Sequence, residues 1–108
     1  MGKGEYLGEF ELLVMATVVR LGEEAYGMRI RRDIEERTGR PVSIGNIYAA
    51  LRRLDAKGYV STRKGEPTAE RGGRAKRYYS LEPEGATALE RSRDLFMTVL
   101  ADLPESIV

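Results

Sequence analysis

The stretch SIGNIYAALRRLDAKG, residues 43–58, carries polar, small and cationic side chains at helical spacing. Ser43 and Asn46 put hydrogen-bonding groups at its leading end, and Gly45 and Ala49 are small enough to let a helix approach another surface closely. Asparagine can read adenine in a DNA major groove through two hydrogen bonds, so Asn46 is the foremost base-reading candidate. Arg52 and Arg53 follow one to two turns later, where they suit phosphates and add affinity with little sequence choice. Two residues keep alternatives open. Ser43 equally suits a helix cap, and Tyr48, at the edge of the apolar stripe, suits either packing or a phosphate contact.

A second set of cations lies in the segment 64–77. Lys64, Arg71, Arg74, Lys76 and Arg77 flank or interrupt a run holding Gly65, Pro67, Gly72 and Gly73. That is more positive charge than a hairpin turn needs, and a wing lying along a minor groove or phosphate backbone is a physical use for it. Between Arg40 and Ser80 ten basic residues face three acids, a local balance of +7, while the rest of the chain sums to −6. A chain divided in this way can present a basic face to a polyanion and keep an acidic surface elsewhere.

Other chemistries are poorly supplied. The 108 residues contain neither cysteine nor histidine, which removes thiol nucleophiles, disulfides, the usual zinc sites and every Ser-His or Cys-His arrangement. The acids are scattered along helical patterns as solvated faces and ion-pair partners, so no catalytic residue, metal site or cofactor is expected. The length suits one compact domain, no apolar run approaches the roughly 18 residues of a membrane span, and the first ten residues do not read as a secretory signal. A cytoplasmic protein is expected.

The elements that must position these residues can be read from periodicity. Leu7 to Leu21 is a helix apolar nearly all round, which requires cover on two sides, one by the domain core and one by a second subunit. Tyr26, Ile30 and Ile34 mark a second helix to Thr38, stopped by Gly39-Arg40-Pro41. Ile44, Ile47, Tyr48, Leu51 and Leu54 form the apolar stripe of the third helix, closed by Gly58. Strands are expected over 59–64 and 75–81, with Tyr78 and Tyr79 on opposite faces. A last helix starts at Pro83 and runs to about Leu103, with Leu89, Phe96 and Leu103 seven apart and Leu95, Val99 and Leu100 beside them.

The expected fold is therefore mostly α with a small two-stranded β wing: a winged helix-turn-helix over 1–82 and a dimerisation helix over 83–108, in one compact unit. The second helix would cross the DNA backbone and the third would enter the major groove.

AYGMRI (25–30), SIGNIYAALRRLDAKGYV (43–60) and GRAKRYYSLEPEG (73–85), in this order and at these separations, resemble the PadR family of bacterial winged-helix regulators. The resemblance spans nearly the whole chain and fits the shorter members, which end in a single helix. It implies a homodimeric transcriptional regulator, typically a repressor released by an effector, here a small molecule of unknown identity. Glu82 departs from the threonine often found before Pro83, which weakens the expected helix cap. The dimer would use Leu89, Leu95, Phe96, Val99, Leu100 and Leu103, and its target would be double-stranded DNA carrying an inverted repeat. Tyr6, Phe10 and Phe96 could line an apolar effector cavity at the dimer centre. The rival reading is a winged helix that grips an acidic protein partner instead of DNA.

Overall fold

The computed structural model describes residues 6–65 and 76–108. Four helices and one hairpin follow in the order α1 (Glu9–Leu21), α2 (Gly27–Thr38), α3 (Ile44–Ala56), β1 (Val60–Lys64), β2 (Arg77–Leu81) and α4 (Pro83–Leu100), with a single 3-10 turn at Gly22–Glu24. The helices and strands fall where periodicity puts them, to within a few residues at their ends.

Helix α1 is the hub. It packs against α2, α3, α4 and β2, which is why its sequence is apolar on so many sides. Val14, Met15 and Val18 are buried against Ile30 and Ile34 of α2 and Ile47, Leu51 and Leu54 of α3, and Val60, Tyr79 and Ala88 complete the core. Each such aliphatic side chain contributes about 1.5–3 kcal/mol on burial. The few buried polar groups are satisfied: Thr17 Oγ1 donates to the Leu13 carbonyl at 2.7 Å and accepts from Arg20 at 3.0 Å. Arg20 in turn reaches Asp33 at 2.6 Å, tying α1 to α2.

The hairpin is antiparallel, with Val60 opposite Leu81, Thr62 opposite Tyr79 and Lys64 opposite Arg77. Strand alternation buries Tyr79 and leaves Tyr78 half-buried on the other face, as expected of a consecutive pair. An addition beyond the sequence reading is a bridge between Tyr26 and Tyr78, beside a hydrogen bond from the Tyr79 N–H to the Ala25 carbonyl at 2.9 Å. The hairpin is thus fastened to the start of α2.

Helix α4 begins with Pro83 in its first turn, and Glu82 caps it without a side-chain hydrogen bond. Gly85 is needed there because a Cβ would run into the backbone of Tyr59. Further along, the buried Ser92 hydroxyl accepts from the Leu7 N–H at 2.9 Å, so the segment before α1 is clasped to α4.

The helix is shorter than its apolar heptads suggest. It ends at Leu100, Ala101 turns extended and Asp102 adopts φ 66°, so Leu103 leaves the stripe. Pro104 accounts for part of this: a residue before proline is driven out of the helical region, which excludes Leu103. Every residue from Arg93 to Leu100 is exposed, and the radius of gyration, 15.6 Å, exceeds the roughly 13 Å of a compact domain this long. No helix among the described residues is long and apolar enough to cross a membrane.

Candidate nucleic-acid interface

The angle between α2 and α3 is fixed by the turn that joins them. The Val42 N–H donates to Glu35 Oε2 at 3.0 Å, and Arg31 Nε donates to the Val42 carbonyl at 3.1 Å, so both backbone groups of Val42 are held by α2. That backbone hydrogen bond, with Arg31 nearby, keeps the Glu35 carboxyl below the ordinary glutamate value. Ser43 then caps α3, its Oγ accepting from the Asn46 N–H at 3.0 Å.

With Ile47, Leu51 and Leu54 turned inward, the opposite side of α3 presents Gly45, Asn46 and Arg52 to solvent, with Ala49 half-buried among them. Only the Ser43 hydroxyl, 4.0 Å away, approaches the place where a Gly45 side chain would stand, so that position is open for contact from outside.

Between α3, the start of α2 and the hairpin lies an open cleft of about 580 Å³. Tyr48, Leu51, Arg52 and Asp55 form its α3 wall, Thr62, Lys76, Arg77 and Tyr79 its hairpin wall, and Tyr26, Gly27 and Met28 its end. Burial pushes the Tyr79 hydroxyl above the ordinary tyrosine value, with Arg77 pulling the other way. Lys76 Nζ stands 4.8 Å from the Tyr26 ring centre, Tyr26 meets Tyr78 edge to face at 5.5 Å, and the Arg63 guanidinium lies 4.6 Å from the Tyr78 ring centre. This ladder of rings and cations braces the root of the wing against α2.

The cations divide into two populations. Arg53 Nε and Lys57 Nζ both reach Glu11 of α1, at 3.0 and 3.3 Å, and Arg40 reaches Glu9 at 3.0 Å. Burial alone would raise the Glu11 carboxyl, but the hydrogen bonds from Arg53 and Lys57 outweigh it and hold it below its ordinary value. Among the described residues, by contrast, Arg52, Lys64, Lys76 and Arg77 enter no ion pair. Lys64 and Arg77 even sit directly opposite each other across the hairpin, a like-charge pairing that costs stability unless an anion lies over it.

The sequence candidates are therefore partly gathered and partly dispersed. Tyr48, Arg52, Lys76 and Arg77 share the cleft, and Ser43, Gly45 and Asn46 share the exposed start of α3. Arg53 does not line the cleft and is committed to Glu11, a partner 42 positions away that no local pattern reveals. Arg71 and Arg74 lie outside the described residues. Gly27, Met28, Thr62 and Asp55 also line the cleft without having been singled out from sequence; the glycine opening a helix was the available signal at Gly27.

The second candidate surface is a groove of about 510 Å³ between α1 and α4, lined by Leu12, Ala16, Val19, Leu81, Ala86, Leu89, Phe96 and Met97 with Glu90 and Arg93. Leu95, Phe96, Val99 and Leu100 are exposed on α4, Leu103 is exposed beyond it, and Leu89 packs against the core. Tyr6 and Phe96 line separate grooves and Phe10 packs on the core, so the three do not share a cavity within the chain.

Three helices, a hairpin wing and a helix-turn-helix pair beside a cleft lined by Arg52, Lys76 and Arg77 define a winged helix-turn-helix protein. The model of the transcriptional regulator PadR-like family matches residues 15–91, and the chain belongs to that family, whose members are regulators and not enzymes. Among solved structures, the chain resembles a PadR family transcription regulator from Clostridium difficile R20291, with TM-score 0.72 and 23% identity over 85% of this chain and 91% of that one. A PadR-like transcription factor from Bacteroides fragilis gives TM-score 0.68 and 23% identity over 83% and 82% of the two chains. A PadR family regulator from Eggerthella lenta gives 0.65 and 23% over 84% and 79%. A comparison with curated proteins gave no significant match.

Proposed function

We propose that this chain binds double-stranded DNA sequence-specifically as a homodimer and represses transcription from the sites it occupies. The observation that carries the reading is the division of its cations: those flanking α1 are neutralised by Glu9 and Glu11, while Arg52, Lys76 and Arg77 stand unpaired among the described residues in the cleft beside α3. In this reading Asn46 reads a base edge, Ser43, Gly45 and Ala49 allow and support the approach, and Tyr48, Arg52 and the wing cations, with Arg71 and Arg74, meet phosphates, while Arg53 stays with Glu11.

The apolar side chains exposed on α4, together with Val19 across the groove, support a twofold interface through Leu89, Leu95, Phe96, Val99, Leu100 and Leu103. Two α3 helices related by that axis would enter successive major grooves, giving an inverted repeat with half-sites about 10 bp apart or a multiple of it. A small-molecule effector that changed the spacing of the two heads would change affinity, because both helices must fit together.

Selection from random duplexes tests this. It should recover an inverted repeat with the wild-type chain, and Asn46→Ala should flatten the preference at one position of each half-site by about 1–3 kcal/mol. Recovery of no motif, with capture of an acidic protein instead, would favour a protein-binding winged helix.

A further inference from the structure

We infer that Gly27 is a positioning residue for DNA binding: it lets the Tyr48 ring lie over the start of α2, so that the Tyr48 hydroxyl and Arg52 face Lys76 and Arg77 across a seat for one backbone phosphodiester. The inference rests on the DNA-binding reading above and assigns a location and a ligand group to part of it.

The contact is unusually close. A Cβ built on Gly27 would stand 2.5 Å from Tyr48 Cζ, 2.5 Å from its hydroxyl oxygen and 2.6 Å from Cε1. No side chain larger than hydrogen fits while the ring keeps its place. The core does not demand that place, because Tyr48 is 37% exposed while Ile47, Ala50 and Leu51 on either side of it are fully buried. Glycine in a helix also forgoes stability that alanine would give. The glycine therefore serves the position of an exposed ring and its hydroxyl.

What the hydroxyl faces identifies the ligand. The cleft holds Arg52, Lys76 and Arg77 against the single acid Asp55, and its three cations are in no ion pair among the described residues. Its volume, about 580 Å³, is far larger than a lone anion needs and lies within the range that encloses a small organic group. A phosphodiester with its sugars satisfies the charge and the size together.

Duplex binding by single and double variants provides the test. Tyr48→Phe removes one neutral donor and should weaken binding to every duplex roughly three- to tenfold without changing the salt slope. Gly27→Ala should produce a similar loss while its Tm stays equal to or above wild type, because the exposed ring can swing aside and alanine favours the helix. The double variant should bind no more weakly than Gly27→Ala alone. A Gly27→Ala protein that binds as wild type, or losses that multiply in the double variant, would overturn the inference.

A neutral-phosphate scan gives an independent check. With single methylphosphonates moved along the site, one position should weaken wild-type binding, and that effect should shrink in both Tyr48→Phe and Gly27→Ala. If no position is coupled to Tyr48, the seat does not exist. Wild-type binding with uncoupled variants refutes this inference alone, whereas absence of wild-type binding to any duplex removes the DNA-binding reading with it.

Discussion

Arg52 and Arg53 are neighbours in sequence and have different fates in the fold. Arg52 faces the cleft, and Arg53 grips Glu11 together with Lys57. On the sequence alone both look like phosphate contacts, since both sit one to two turns past the start of the third helix. Their substitutions should separate. Arg52→Ala should lower the slope of log affinity against log salt by about 1.8, about 0.9 for each subunit of the dimer, with little change in Tm. Arg53→Ala should leave most of that slope intact and cost about 1 kcal/mol or less, the worth of a partly exposed ion pair, seen as a small drop in Tm.

The same ion pair carries a pH dependence. The Glu11 carboxyl is held below its ordinary value of 4.5 in the folded chain, so folding favours its ionised form. Its stabilisation is complete above that ordinary value and is lost as pH falls through the lower folded-state value. Thermal melts from neutral to acid pH should therefore converge for wild type and Glu11→Gln below the carboxylate range, with wild type the more stable above it. Curves that stay parallel at all pH values would show that the pairing contributes nothing.

At the scale of elements, what could be read in advance was whatever local physics decides. The stripe from Ile44 to Leu54 fixed the third helix, Ser43 was rightly placed as its cap, and the consecutive tyrosines split between core and surface because strand side chains alternate. Contacts distant in sequence were beyond reach: Glu11 with Arg53 and Lys57, Leu7 with Ser92, and the Tyr26 bridge that anchors the wing. The overlong last helix had a different cause. The apolar spacing of Leu89, Phe96 and Leu103 outweighed a local signal, Pro104; in the fold the helix ends at Leu100. Phe96, which lines the groove between α1 and α4, becomes the sharper probe of self-association. Phe96→Glu should yield a monomer at micromolar concentration in sedimentation; an unchanged dimer would place the interface elsewhere.

For the whole molecule, a formal charge of only +1 conceals a polar arrangement. Part of the central excess of positive charge is cancelled by α1, since Arg40, Arg53 and Lys57 are paired with Glu9 and Glu11. Among the described residues, Arg52, Lys76 and Arg77 are left outside any ion pair at the cleft between α3 and the hairpin. An exposed apolar surface lies along α1 and α4. Helix α1 meets α3 through Glu11 and lines the groove against α4 through Leu12, Ala16 and Val19.

Equilibrium binding of the intact protein to mixed genomic duplex across a series of salt concentrations tests the central claim most directly. A log–log plot that falls steeply and linearly, with a slope reduced by about 1.8 for each of Arg52→Ala and Arg77→Ala, about 0.9 per subunit of the dimer, is the predicted result. Binding that is absent, or that does not change with salt, would contradict it.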